Sequence, residues 1–150
     1  MSKWTDDFPK SEITREITDK TNDFAEKFGF FLGEDTYGKK DTRLTTNQLR
    51  KFFGEVKRQQ LGGYVSSDFI LLKPKLAYAV GRVKIKQNKD KAKEVLVTDY
   101  KINDFYEVMS IAINCVNGPD TFKRFVSVFE AIVAYHKAAE VGKKSENNND

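Results

Sequence analysis

The chain has 150 residues, of which 39% are apolar and 32% are charged. This length suits one domain with a single core, and the apolar content is too high for a wholly disordered protein. No run approaches the roughly 18 apolar residues of a membrane span, and we expect neither a secretory signal nor a membrane partner. One cysteine and one histidine exclude a disulfide framework and a cysteine-cluster or multi-histidine metal site. We therefore expect a cytoplasmic protein with no metal and no cofactor.

The first third of the chain predicts an arm, a helix and a loop. Residues 1–10 are expected to form a flexible N-terminal arm, ahead of a helical domain at 11–141. Ser11 can cap a first helix that ends near Gly29 or Gly33, and residues 33–43 have the composition of a polar loop. The apolar residues at helical spacing in this helix are Ile13, Ile17, Phe24, Ala25 and Phe28.

The second helix has a recognisable start and end. Thr45 and Gln48 have the spacing of a capping box, and Gly62 and Gly63 follow the last helical turn. Its apolar stripe, which we expect to be buried, consists of Leu49, Phe52, Phe53 and Val56.

The third helix follows a short apolar run at 69–72, whose periodicity fits either a strand or a buried helix. Pro74 fits the first turn of a helix, where the missing N–H is not needed. Residues 84–94 have the composition of a charged connector. The apolar side of this helix consists of Leu76, Ala79, Val80 and Val83.

Two further helices and a tail complete the chain. A helix is predicted from about Thr98 to Val116, and the turn at 117–120 starts the last helix. Residues 142–150 contain nothing apolar and are expected to be a disordered tail. Strand signals are weak throughout, so we predict an all-α fold, a single-domain bundle of about five helices.

Positive charge is concentrated in the middle of the chain. Residues 43–93 contain 13 Lys or Arg and 3 Asp or Glu, a net charge of +10, while the remainder contains 13 and 19, a net charge of −6. Such a surface most often binds nucleic acid. The alternative is a solvated, lysine-rich loop without a partner.

The basic residues of the second helix are arranged in two rows. Positions seven apart fall nearly in line on a helix, so Arg50 and Lys57 form one row, and Lys51 and Arg58 form another. Both rows lie away from the apolar stripe. The helix can therefore bury one face and present cations on the other.

The third helix has a similar pattern with an aromatic residue added. Lys75 and Arg82 align, and Tyr78 lies between them. Cations around an aromatic ring can hold a phosphate and stack a base, although Tyr78 equally fits a half-buried core position. Gly81 would let a partner backbone approach closely.

Catalytic motifs are absent, since the chain has no phosphate-binding glycine loop and no convincing nucleophile. His136 and Cys115 fit core positions. Two other classes of protein remain possible. A helical regulator of double-stranded DNA could use Gly62–Gly63 as the turn of a helix-turn-helix. A metal-dependent nuclease would need a carboxylate cluster, for which the candidates are Asp99, Asp104 and Glu107.

Three segments carry a resemblance to a known family. They are residues 44–58 (Leu-Thr-Thr-Asn-Gln-Leu-Arg-Lys-Phe-Phe, continuing to Lys-Arg), 71–82 (Leu-Leu-Lys-Pro-Lys-Leu-Ala-Tyr-Ala-Val-Gly-Arg) and 129–137 (Phe-Glu-Ala-Ile-Val-Ala-Tyr-His-Lys). In this order they resemble the small subunit of the Csm effector complex of type III-A CRISPR systems, over roughly residues 40–140. The first two segments are specific as a pair.

The resemblance implies an all-helical, non-catalytic subunit that serves antiviral defence. Its expected partners are crRNA, target RNA, the other Csm subunits and neighbouring copies of itself. It would contact the backbone of the crRNA–target duplex without reading sequence. The basic positions that match the family are Arg50, Lys51, Lys57, Arg58, Lys73, Lys75 and Arg82. To these residues we add Tyr78, from the spacing described above, as a candidate nucleic-acid contact.

Overall fold

A computed structural model of the chain describes residues 2–34, 42–89 and 100–148, without the side chains of 83–89 and 141–148. The described residues contain helices and no strand, which confirms the all-α prediction. Five of the helices are long, as predicted, and three are short. The helices are α1 (Lys3–Asp7), α2 (Ser11–Thr14), α3 (Asp19–Gly33), α4 (Thr46–Gly62), α5 (Ser66–Phe69), α6 (Leu72–Lys89), α7 (Lys101–Asn114) and α8 (Pro119–Asn148). None of these helices is both long and apolar enough to cross a membrane, within the residues described.

Helix α8 is the centre of the bundle and packs against α2, α3 and α4, while α6 packs against α7 and α4. Aromatic side chains join these helices. The ring of Phe52 on α4 meets Phe105 on α7 and Phe129 on α8 edge-on, at centroid distances of 5.6 and 5.3 Å. All three side chains are buried, so α4 is anchored by its apolar stripe and its opposite face is free for charged residues.

Helices α3 and α8 approach each other closely at two glycines. A Cβ placed on Gly29 would lie 2.6 Å from the Cβ of Tyr135, and one on Gly33 would lie 3.0 Å from that of Ala139. No real side chain fits in the first of these spaces. Gly33 also ends α3, as predicted, but the two glycines additionally let the backbones of α3 and α8 touch.

The predicted first helix is interrupted, because α2 ends at Thr14 and α3 begins at Asp19. The Thr18 hydroxyl caps α3 by accepting a hydrogen bond from the Lys20 N–H at 3.2 Å. Burial alone would raise the pKa of Glu12, but hydrogen bonds from Thr18 and Thr21 lower it overall. These local bonds replace the turn that a continuous helix would make, and they leave Ile17 42% exposed instead of buried.

Residues 1–10, expected to form a flexible arm, contain the short helix α1 over their described part. Helix α1 is capped by the Ser2 hydroxyl, which accepts from the Trp4 N–H at 3.3 Å. The Trp4 ring lies 5.2 Å from that of Phe28, and Phe8 is 5% exposed. The Ser2 N–H also donates to the Glu107 carboxylate at 2.6 Å. Such contacts join residues far apart in sequence, so periodicity gives no sign of them.

The start of α4 is as predicted: Thr45 and Gln48 form both hydrogen bonds of the capping box. The apolar run at 69–72 is not a strand: it ends one helix, forms a turn and starts the next helix. Phe69 and Leu72 are buried at the end of α5 and the start of α6, while Ile70 and Leu71 are exposed.

Helix α6 has Pro74 in its first turn, as expected, and its backbone continues to Lys89, into the predicted connector. The rest of that connector and the predicted helix start at Thr98 lie outside the described residues. The predicted tail at 142–150 falls where the structure describes no side chains.

Candidate nucleic-acid interface

Two predicted contact residues near the start of α4, Arg50 and Lys51, are exposed. Neither has an ion-pair partner within the part of the chain that the structure describes. The capping box fixes the start of the helix, and Leu49 and Phe52 fix its rotation by burying the opposite face. Both cations are therefore positioned by the fold and available to a partner.

Lys57 belongs to the same row as Arg50 and lies on the side of α4 that faces α8. Its ammonium group forms an ion pair with Glu130 of α8 and donates to the Gln60 Oε1 at 3.1 Å. It also lies 5.5 Å from the centre of the Phe53 ring. These contacts hold the charge at the α4–α8 edge.

The second row lies about 100° around α4 from the first, on the side next to α6. Glu55 accepts hydrogen bonds from Arg58 Nη2 at 2.6 Å and from Lys75 Nζ at 2.9 Å. These two donors lower the pKa of the Glu55 carboxyl to about 2, so it is ionised at neutral pH. One carboxylate thus ties together a cation of α4 and a cation of α6 and holds the two helices in register.

Lys73 lies apart from the other α6 residues. Its ammonium group donates to the Asn114 side chain of α7 at 2.5 Å. Residues 73 and 75 point to different sides of a helix, because two residues correspond to about 200° of rotation. The structure therefore assigns Lys73 to the α6–α7 edge and Lys75 to the α4–α6 edge.

Tyr78 and Arg82 continue the surface that Lys75 begins. Tyr78 is 71% exposed, which excludes the half-buried core position and leaves its ring accessible for stacking. Arg82 is exposed one turn further on. We call the side chains of Lys51, Glu55, Arg58, Lys75, Tyr78 and Arg82 the α4–α6 face.

The eight predicted contact residues are thus divided among three places. Five of them form the α4–α6 face, Arg50 and Lys57 form a row toward α8, and Lys73 faces α7. The hydrogen bond with Glu55 raises the pKa of the Arg58 guanidinium, and Asp68 contributes to the same rise as a further negative charge nearby. The cations do not form one uniform patch, and several of them contact acids of the chain itself.

The side chains that orient these cations, two acids and one amide, were not assigned a role from the sequence. The contact between Glu55 and Arg58 could have been predicted, because residues three apart meet on one face of a helix. Glu130 is 73 residues from Lys57, and Asn114 is 41 residues from Lys73. No local pattern predicts these two contacts.

The other candidate chemistry has structural explanations. His136 is 2% exposed, and its Nε2 lies 2.7 Å from the Leu44 carbonyl oxygen, as a core histidine should. Asp104 and Glu107 are partly covered by α1, and burial raises the pKa of Asp104. In the described ranges no three His, Cys, Asp or Glu side chains gather as possible metal ligands, and Asp99 lies outside those ranges.

The proposed helix-turn-helix turn has a different geometry. Gly63 adopts φ 88° at the end of α4, but α5 lies between it and α6. The two long helices are therefore not joined by the short turn that this motif uses.

Comparison with known proteins gives one match. A family model described as Csm2 Type III-A matches residues 16–141. No curated protein and no solved structure matches the chain. The matched range includes every residue of the α4–α6 face.

Proposed function

The chain belongs to the Csm2 type III-A family, and we propose that it binds RNA through phosphate contacts as a non-catalytic part of its complex. Membership makes it a structural subunit of a type III-A CRISPR complex. The proposal adds which ligand it contacts, namely the backbone of the crRNA–target duplex, and through which surface. That surface is the α4–α6 face, together with Arg50 and Lys57.

The observation that carries the proposal is the composition of the α4–α6 face. This face combines four cations from two helices, an exposed tyrosine ring and one carboxylate, with Asp68 as a further negative charge near Arg58. Cations of this kind neutralise phosphates and release counterions, which gives affinity without sequence readout. Such binding suits a complex in which base pairing supplies the specificity.

The ion pairs with Glu55 leave donors free for a phosphate. A guanidinium has five N–H donors, and Arg58 directs only its Nε and Nη2 at Glu55. An ammonium has three, and Lys75 directs one of them at Glu55. We therefore expect Glu55 to orient these two cations while they contact the nucleic acid.

The remaining partners follow from the same proposal. Other Csm subunits and neighbouring copies of the chain would hold several such faces along one duplex, in the cytoplasm. Because linked sites bind with higher avidity than one, a weak contact per subunit is sufficient. Co-expression with the other subunits and a guide RNA should therefore recover this chain in the assembled complex.

The direct test is charge reversal at cations that the fold does not use. Lys51→Glu with Arg82→Glu should weaken binding of a labelled single-stranded RNA, and of an RNA duplex, by about tenfold or more. The matched control is Lys20→Glu with Lys27→Glu, at exposed positions of α3, which changes the net charge equally. Circular dichroism should show unchanged helicity in both. Equal weakening by the two double variants would contradict the proposal.

The same titrations separate the other classes of protein. A sequence-specific preference for double-stranded DNA would indicate a regulator instead. Magnesium-dependent cleavage that is lost in Asp104→Ala would indicate a nuclease. Our proposal predicts neither result.

A further inference from the structure

Gly54 lies in the middle of α4, at an exposed position where neither packing nor backbone conformation calls for a glycine. A Cβ built on it meets nothing within 4 Å. Its φ is not positive, since Gly63 is the only residue with a positive φ in the described part of the chain. Glycine is among the least favourable residues in a helix interior, so the position needs another explanation.

The neighbours of Gly54 on the helix surface are all cations. The residues three and four positions away on either side surround any helical position. For Gly54 these residues are Arg50, Lys51, Lys57 and Arg58. Gly81 in α6 is equally open, but the preceding turn presents Ala77 and Tyr78 to it, neither of which is charged.

The acids of the neighbouring surface keep this position uncovered. Helical side chains lean toward the N-terminus, so Lys57 and Arg58 would otherwise lie over the turn that contains Gly54. Instead, Glu130 holds the ammonium of Lys57 on the α8 side, and Glu55 holds the guanidinium of Arg58 on the α6 side. The helix backbone at Gly54 is left uncovered between these two cations, which lie about 100° apart around α4.

We propose that the surface of α4 at Gly54 is a binding site for one phosphate of the RNA backbone. The missing side chain lets the phosphate approach the surface of α4, where Lys57 and Arg58 donate to it from two sides. Arg50 and Lys51 add positive charge one turn earlier. This inference rests on the proposed function and locates the closest contact within it.

The test enlarges the side chain at this position without changing any charge. Gly54→Ala and Gly54→Leu should both fold at least as well as the wild-type chain, because the added atoms meet open space and are better helix formers. Affinity for a labelled RNA should fall with side-chain size, by about tenfold for leucine, the scale of one lost charge-assisted contact. Ala138→Leu, at an exposed position of α8, is the matched control and should bind as the wild type does.

The outcomes separate this inference from the function on which it rests. Wild-type protein that binds no RNA would overturn the proposed function. If the wild-type protein binds RNA and both Gly54 variants bind it as well as the wild type does, only the phosphate-binding site at Gly54 is overturned. Equal loss in Gly54→Leu and Ala138→Leu would also overturn it, since added apolar bulk would then act anywhere on the surface. A rise in melting temperature together with a loss of affinity would support it.

Discussion

Glu55 is the acid that organises the proposed interface. Its carboxylate lies 2.6 Å from Arg58 Nη2 and 2.9 Å from Lys75 Nζ, and its side chain is 19% exposed. This carboxylate orders two long, flexible side chains, but its negative charge also opposes a phosphate that those side chains would bind. The same three groups connect α4 to α6, so this acid also contributes to stability.

Glu55→Gln should raise RNA affinity a few-fold more than Glu26→Gln, a control with the same charge change at an exposed position of α3. The reason is that Glu55 lies among the proposed contacts, and a neutral amide there no longer opposes a phosphate. The glutamine Oε1 can still accept hydrogen bonds from Arg58 and Lys75 and keep them oriented. Fluorescence anisotropy with a labelled RNA measures both. An equal effect of the two substitutions would place Glu55 outside the interface.

The pH dependence of folding stability tests the ion pairs of Glu55 independently of RNA binding. Its folded pKa of about 2 is below the ordinary 4.5, so ionised Glu55 stabilises the fold fully above pH 4.5. That contribution is lost as the pH falls from 4.5 toward 2. The difference in unfolding free energy between wild type and Glu55→Gln should shrink over the same interval.

Helices differ in how far their boundaries and buried faces are determined by residues close together in sequence. The capping box at Thr45 and the apolar stripe of α4 are short-range patterns, and both were predicted. The break between α2 and α3 depends on Glu12, which accepts hydrogen bonds from Thr18 and Thr21. A stripe-based prediction continues through such a break, because Ile13, Phe24 and Phe28 remain at helical spacing.

The glycines within α3 and α4 are expected to respond oppositely to the same substitution. Gly29→Ala should destabilise the fold by about 2 kcal/mol, because its Cβ has no room and α3 must move away from α8. Gly54→Ala should stabilise the fold by up to about 1 kcal/mol, because alanine favours the helix and meets nothing. Urea unfolding of both variants measures the difference. Equal and small effects would contradict the close approach of α3 and α8.

For the whole molecule, the sequence predicts the fold better than it predicts the candidate site. Helical periodicity identifies the five long helices, and the charge distribution identifies α4 and α6 as the basic part. How the cations divide among α8, α7 and the α4–α6 face depends on contacts such as Lys57–Glu130, across 73 residues of sequence. Such pairings follow from helix packing, which a single sequence does not reveal.

The salt dependence of binding shows whether this chain holds a polyanion through its charges. The full chain should be titrated into a labelled single-stranded RNA by fluorescence anisotropy at several salt concentrations. If each subunit neutralises about four phosphates, the logarithm of the binding constant should fall against the logarithm of salt with a slope of roughly −3. A slope near zero would contradict the account.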